Sequence, residues 1–460
     1  MPDRVLHIRS VALVVIGVLL AAFGLAADGI GLGGAPGIGR GQAIAMLVGV
    51  AAAGLGFFPA GAAMTRSRGF LVLLGLGGGL SLAEVVLHQV ERRERASLDK
   101  AMAGIGYRVP DPRLGFRIAP GAPGHDGRGF RNARALERAD IVATGDSQTW
   151  GNGAATRDAW PQALGRMSGR PAYNMGVGGY GPVQYLAMCR EATNLQPRIV
   201  VVGLYFGNDI WDAYSQVYRS ETCTELRAAE AGDLLADTIT ARTTALTDEA
   251  VQYQERYQRS RAADPLMWMG LHSAIVRGLA RAGIWPARFN ADYQAQRAWS
   301  HDYPEHGSAY EQGPVCTVLT PAYRLCAEDL DDPRIVEGLR ITLEMLSGIR
   351  TEGEARGEKM LVVLIPTKEL VYADAMRSSP GGMSESYSKL IAMEGRLRGA
   401  VMSHCRQIRL EYADALPSLE AAVQRKERIY PVTGDGHPVA KGYSLIASSV
   451  NEALNRLGWL

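Results

Sequence analysis

The chain has 460 residues, enough for more than one domain and a sizeable core, with 49 Lys and Arg against 47 Asp and Glu. A net charge of +2, no sustained basic run and no aromatic residues interleaved among the arginines exclude the usual footprint of a nucleic-acid-binding protein. Hydrophobicity is spread very unevenly, and that unevenness divides the chain.

Residues 1–96 read as a membrane region of about three transmembrane helices. Val11 to Ala27 is an uncharged apolar run preceded by Arg4, His7 and Arg9. Ile44 to Met64 is a second run, rich in Ala and Gly, as packed membrane helices often are. Phe70 to Leu87 is a third, slightly short of the ~20 residues a span usually needs. A cleavable signal peptide is the rival for the first run, but two more runs follow it and no clear small-x-small site precedes them. Glu84, in the last turn of the third run, lies close enough to the helix end to reach the headgroup layer. Three spans with the N-terminus inside place the rest of the chain outside the cell membrane. Arginine counts on the two sides nearly tie, so this placement leans on Arg4 and Arg9 before the first helix.

Residues 97–137 start as a charged helical continuation and become Pro/Gly-rich, with Pro110, Pro112, Pro120 and Pro123, which marks a juxtamembrane linker or docking segment. From 138 to 460 strands and helices alternate, the pattern of a parallel sheet with crossover helices and of a three-layer α/β/α fold. Strand candidates are Asp140–Thr144, Ala172–Met175, Ile199–Phe206 and Lys359–Ile365. Helix candidates include Ala159–Met167, Pro182–Asn194, Pro333–Gly353 and Gly442–Leu457. Between about 212 and 332 the alternation lapses into an expected helical and irregular insertion over the carboxyl edge of the sheet. Of the five cysteines, Cys189 falls in a helix and reads as a small apolar residue, whereas Cys223, Cys316 and Cys326 fall in the insertion. Cys316 with Cys326 is the preferred disulfide there, although spacing does not fix connectivity.

Four blocks carry chemistry. The run Ile141-Val142-Ala143-Thr144 ends in Gly145-Asp146-Ser147, and a serine at the carboxyl end of such a strand sits where open α/β sheets build their sites. Taken alone, the tripeptide reads more readily as a helix N-cap, with Asp146 or Ser147 accepting from free backbone N–H groups. Asn174-Met175-Gly176-Val177-Gly178-Gly179 follows a short strand, Gly207-Asn208-Asp209 ends the strongest one, and Asp435-Gly436-His437-Pro438 precedes the last helix. Brought to one sheet edge, they supply what acyl transfer needs. Ser147 is the nucleophile, His437 its base, and Asp435 the carboxylate that orients the imidazole, two positions apart so that an extended backbone sends both side chains the same way. The backbone N–H groups of Ser147 and Gly179, with the Asn208 amide, form the candidate oxyanion hole. Asp209 reads as an anchor of its own loop.

These four blocks, in this order, resemble the SGNH (GDSL-type) hydrolase superfamily over about residues 138–210 and 355–460. The resemblance implies a flavodoxin-like SGNH fold and assigns its Ser, Gly, Asn and His to Ser147, Gly179, Asn208 and His437, with Asp435 completing the triad. One residue separates Asp435 from His437, where most members have two, and this closer spacing looks like the branch that includes alginate-type polysaccharide O-acetyltransferases. Ile365-Pro366-Thr367-Lys368-Glu369 also looks like a loop of bacterial envelope members, with no catalytic role assigned.

Two readings from other classes compete. Gly176-x-Gly178-x-x-Gly181 between a strand and a helix spells the dinucleotide-binding pattern, but the required acidic residue arrives late, in Gly207-Asn208-Asp209. A non-catalytic carbohydrate-binding envelope protein is the other, and the intact Ser, His and Asp weigh against it. The expectation is therefore a serine esterase or O-acyl hydrolase acting on an ester of an envelope glycan or lipid, in the inner membrane with its domain extracytoplasmic. The alternative is an O-acyltransferase working with a membrane acyl-transfer partner. No cofactor, metal or nucleic-acid partner is expected.

Overall fold

The computed structural model describes residues 99–460, apart from 221–222, 229–237, 262–289, 314 and 380, together with a few positions between 83 and 89. The apolar runs expected to span a membrane lie outside the described residues, apart from a few positions at the end of the third; among the described residues no helix is long and apolar enough to cross one. Two units divide the chain, and the unit made of Glu94–Arg261 and Ala291–Leu460 holds the sheet.

That unit begins with an antiparallel hairpin, β1 (Arg108–Asp111) and β2 (Gly115–Ile118). Then follow β3 (Ile141–Gly145), the single turn α1 (Ser147–Trp150), α2 (Trp160–Ser168), β4 (Ala172–Asn174), α3 (Pro182–Ala192), β5 (Ile199–Tyr205) and α4 (Asp209–Tyr218). The insertion contributes α5 (Thr238–Ser260), α6 (Ala291–Asp302), the ribbon β6 (Ser308–Gln312) with β7 (Val315–Leu319), and α7 (Pro321–Glu328). Alternation resumes with α8 (Pro333–Ala355), β8 (Lys359–Ile365), α9 (Lys368–Arg377), α10 (Glu385–Gln407), β9 (Glu411–Asp414), α11 (Leu416–Gln424) and α12 (Ala440–Arg456).

Five strands make one parallel sheet in the order β4-β3-β5-β8-β9, which in strand sequence is 2-1-3-4-5, a doubly wound order. β5 is buried at every residue, as expected of a strand covered on both faces. Its alternate residues feed two separate cores. Val200, Val202 and Leu204 pack with α3, α4, α8 and α10, whereas Ile199, Val201 and Tyr205 pack with α2, α9, α11 and α12. β9 was invisible in the sequence: its four residues, Glu-Tyr-Ala-Asp, pair along one side only and need no apolar run.

The Pro/Gly-rich stretch before the sheet docks onto the domain. Leu114, Ile118 and Phe130 are buried in the core beside α3. Asp126 accepts hydrogen bonds from the Tyr173 hydroxyl at 2.6 Å and the Asn132 amide at 3.1 Å, which ties the stretch to β4.

The expected Cys316–Cys326 disulfide is corrected, since both cysteines are free. Cys316 sits in β7 opposite Glu311, whereas Cys326 turns from α7 into the core beside α4 and α8, with its thiol on the Ala322 carbonyl at 3.3 Å. The two side chains serve different surroundings. Cys189 is fully buried as a small apolar residue.

Candidate active site

Ser147 stands at the carboxyl end of β3, where the chain turns sharply into α1. Gly145 makes the turn possible, because a Cβ there would collide with Thr149 and come within 2.9 Å of the Gly203 carbonyl. Asp146 caps α1 by accepting from the Gln148 N–H at 2.8 Å. The capping reading and the nucleophile reading therefore fall on different residues, Asp146 and Ser147.

The Ser147 hydroxyl lies 2.9 Å from His437 Nε2. His437 Nδ1 lies 2.6 Å from Asp435 Oδ1, which also accepts the His437 backbone N–H at 3.0 Å. Asp435 and His437 thus meet through a tight Asx-type turn, where the sequence suggested an extended segment. One intervening residue suffices because the carboxylate closes the turn and receives the imidazole on the same oxygen. Burial tends to raise the Asp435 pKa, but the His437 hydrogen bonds and charge outweigh it and hold the carboxyl at about 2, even though its side chain is 45% exposed. The Asn152 amide lies 3.4 Å from His437 Nδ1, a weaker neighbour than Asp435.

Ser147 has a second acceptor, because its hydroxyl can also donate to Asp146 Oδ2 at 3.1 Å. Asp146 is fully buried, and burial pushes its pKa up. Asp209, buried, and Asp212, half-buried, lie nearby on α4, and burial together with the Asp146 charge raises the pKa of both. Asp209 accepts from the Tyr185 hydroxyl and the Tyr205 N–H, both at 2.8 Å, as an anchor of its loop should.

The Gly179 N–H has no acceptor among the described residues, and its φ of +88° suits glycine. A Cβ on neighbouring Gly178 would sit 3.7 Å from the Ser147 Cβ, so this turn lies against the serine. Asn208 precedes α4, with its Nδ2 2.5 Å from Asp212 Oδ2 and its buried Oδ1 without a partner among the described residues. Burial first, then the Asp146 charge, raises the Asp212 pKa to about 8, so a carboxylic acid faces that amide at neutral pH.

Sequence reading missed the residues that hold these loops. Lys368, fully buried at the start of α9, donates to the carbonyls of Val318 at 2.9 Å, Thr433 at 2.6 Å and Asp435 at 3.3 Å. It pins the His437 loop to β7. The signal was present in the Thr367-Lys368-Glu369 block, without a spacing rule to say what the lysine would bind. Burial lowers its pKa to about 7. Gly434 N–H donates to Gln296 on α6 at 2.7 Å, and a Cβ on Gly436 would lie 2.5 Å from the Arg324 guanidinium, so the insertion packs directly on this loop. On the serine side, fully buried Arg131 donates to the carbonyls of Trp150 (3.1 Å), Gly151 (2.6 Å) and Ala154 (2.5 Å), and stacks on the Trp150 ring. One arginine in a Gly-rich stretch gave no warning of that.

The glycine block does not offer a pyrophosphate cradle. A Cβ on Gly181, at the start of α3, would lie 2.8 Å from the Asp212 Cβ, so an acidic side chain occupies the ground a pyrophosphate would need. Among the described residues no group of His, Cys, Asp and Glu is arranged to hold a metal.

A doubly wound α/β domain has thus brought a Ser–His–Asp hydrogen-bonded chain to the carboxyl edge of its sheet, an arrangement able to run acyl transfer through the serine. No family model and no curated protein matches the chain. Solved structures similar to it include two of low identity. One, from Desulfitobacterium hafniense, is described as a putative lipolytic protein of the G-D-S-L family; it is 11% identical, with a TM-score of 0.30 over 68% of this chain and 98% of its own. The other, from Bacteroides fragilis, is described as a putative acylhydrolase; it is 13% identical, with a TM-score of 0.28 over 70% of this chain and 88% of its own. At those scores the likeness carries no argument, and the geometry stands by itself.

Proposed function

We propose that this chain is a serine ester hydrolase of the SGNH type, working through an acyl-enzyme on Ser147. The observation that carries the reading is the unbroken path from Ser147 Oγ through His437 to Asp435, at 2.9 and 2.6 Å, assembled from residues 290 positions apart. His437 Nε2 takes the serine proton as Oγ attacks the ester carbonyl, and the low-pKa Asp435 stabilises the imidazolium that forms. Collapse of the tetrahedral intermediate expels the alcohol, protonated by His437, and water then cleaves the acyl-enzyme by the same steps in reverse roles.

The oxyanion would meet the N–H groups of Ser147 and Gly179. Asn208 joins them by a specific route. With its amide turned over, Asn208 can accept from a neutral Asp212 at Oδ1. The NH2 group then occupies the position where Oδ1 now lacks a partner, leaving a buried donor for the oxyanion.

The uncharged apolar runs before residue 96 support anchorage in the inner membrane, and Arg4 and Arg9 before the first run favour the domain on its outer side, where an envelope glycan or lipid ester would be the substrate in reach. The test is labelling of the full-length chain with a fluorophosphonate, read by intact mass. One adduct is expected on the parent, lost in Ser147→Ala and formed at least ~100-fold more slowly in His437→Ala. A folded parent that takes no adduct refutes the reading.

A further inference from the structure

The hairpin β1–β2 belongs to none of the four blocks, yet it borders the serine's surroundings. A Cβ on Gly179 would lie 3.9 Å from the tip of Phe116 and 4.0 Å from an Arg108 Nη, so these two side chains border the open side of that glycine. The Arg108 guanidinium stacks on the Phe116 ring at 4.1 Å from its centroid. The hairpin is fixed in place: the Tyr180 hydroxyl, one residue after Gly179, donates to the Phe116 carbonyl at 2.6 Å, and the two rings meet edge to face at 5.3 Å.

The two arginines of the hairpin differ. Arg117 is neutralised twice, by Asp111 at 2.5 Å and Glu191 at 2.6 Å. Arg108 is exposed, and among the described residues no carboxylate or carbonyl engages it. Stacking fixes the plane of its guanidinium while leaving the N–H fork open, the state suited to a bidentate grip on a carboxylate or phosphate.

The geometry points to Arg108, seated on Phe116, as an anion-recognition residue that selects esters carrying a carboxylate or phosphate group beside the scissile bond. This rests on the reading of Ser147 as nucleophile, and it names the substrate class for that site: an acidic glycan ester or a phosphate-bearing ester rather than a neutral one.

The experiment compares the full-length parent, Arg108→Gln and Arg108→Lys on three acetyl esters: a uronate oligosaccharide, a neutral oligosaccharide and glycerophosphate. Fluorophosphonate labelling of each variant runs alongside. Expected for Arg108→Gln is a loss of about tenfold in kcat/KM on an anionic ester, the size of one lost charge-assisted hydrogen bond at an exposed site. The neutral ester and the labelling rate should stay within about twofold, and Arg108→Lys should fall between. The parent's preference for the anionic ester should shrink as salt rises. A loss confined to the uronate arm names a carboxylate, and one confined to the glycerophosphate arm names a phosphate. Equal losses on all three esters, or none, with labelling intact overturn the proposal and leave the serine chemistry standing. A parent without an adduct overturns the serine reading itself.

Discussion

Replacing Lys368 with methionine separates the two things this buried lysine does. Its ammonium bonds three carbonyls, two of them in the loop that carries His437, and methionine fills similar space without a donor. Losing the donors costs about 1 kcal/mol each, or ~3 kcal/mol together. Against that, burial has moved the amine from 10.5 to about 7. At ~1.4 kcal/mol per pH unit, carrying the charge inside the fold costs about 5 kcal/mol. Because the folded value lies below the unfolded one, that cost is fully present below pH 7 and is relieved as pH rises from 7 to 10.5, where the unfolded chain binds more protons. Lys368→Met is therefore expected to match or slightly exceed the parent's Tm at pH 6 and to fall slightly below it at pH 9.5, where the neutral amine of the parent still donates through two N–H bonds and most of the charge cost is gone. Its kcat/KM on a neutral ester should drop ~10- to 100-fold at both pH values, because the His437 loop has lost its tether. Tryptophan-fluorescence melts and initial rates at the two pH values measure both. A Tm difference that does not change with pH refutes the account of the buried charge. Parental kcat/KM in a stable variant refutes the tether.

Two shorter predictions concern the other supports. Asp435→Asn should lower kcat by ~100- to 10,000-fold, because the imidazolium loses its carboxylate. Its effect on Tm should be small, given the half-exposed side chain, present above pH 3.8, and closing as pH falls through about 2, since Asp435 is held ionised in the fold; a gap that instead closes near pH 6 would point to a different partner for His437. Arg131→Met removes donors from three carbonyls around the turn after Ser147, about 3 kcal/mol, but also a buried charge whose pKa burial lowers from 12.5 to about 10, a cost of about the same size. Its Tm should stay within a few degrees of the parent's, while the fluorophosphonate labelling rate falls ~10-fold as the turn loosens. A parental labelling rate would mean that those carbonyls find other donors.

The sequence by itself determined the strands that are buried on both faces and the order of the chemical blocks. Ile199–Tyr205 and Lys359–Ile365 are continuous apolar runs because a central parallel strand must satisfy two cores, and such runs are local signals. Gly145-Asp146-Ser147 was legible because a sharp turn after a strand demands particular residues at adjacent positions, and Asp435-Gly436-His437 by its residue types and order, although its turn was not. Only the tertiary structure decided what stands behind them. β9, Arg131 and Lys368 act through partners about 20 to 70 positions away, and Asp146 and Asp212 through their surroundings in the fold, and neither leaves a periodic trace. The expected Cys316–Cys326 bridge failed on the same ground. Ten residues of separation say nothing about whether two side chains leave a strand and a helix toward the same space, and here one lies opposite Glu311 while the other enters a core.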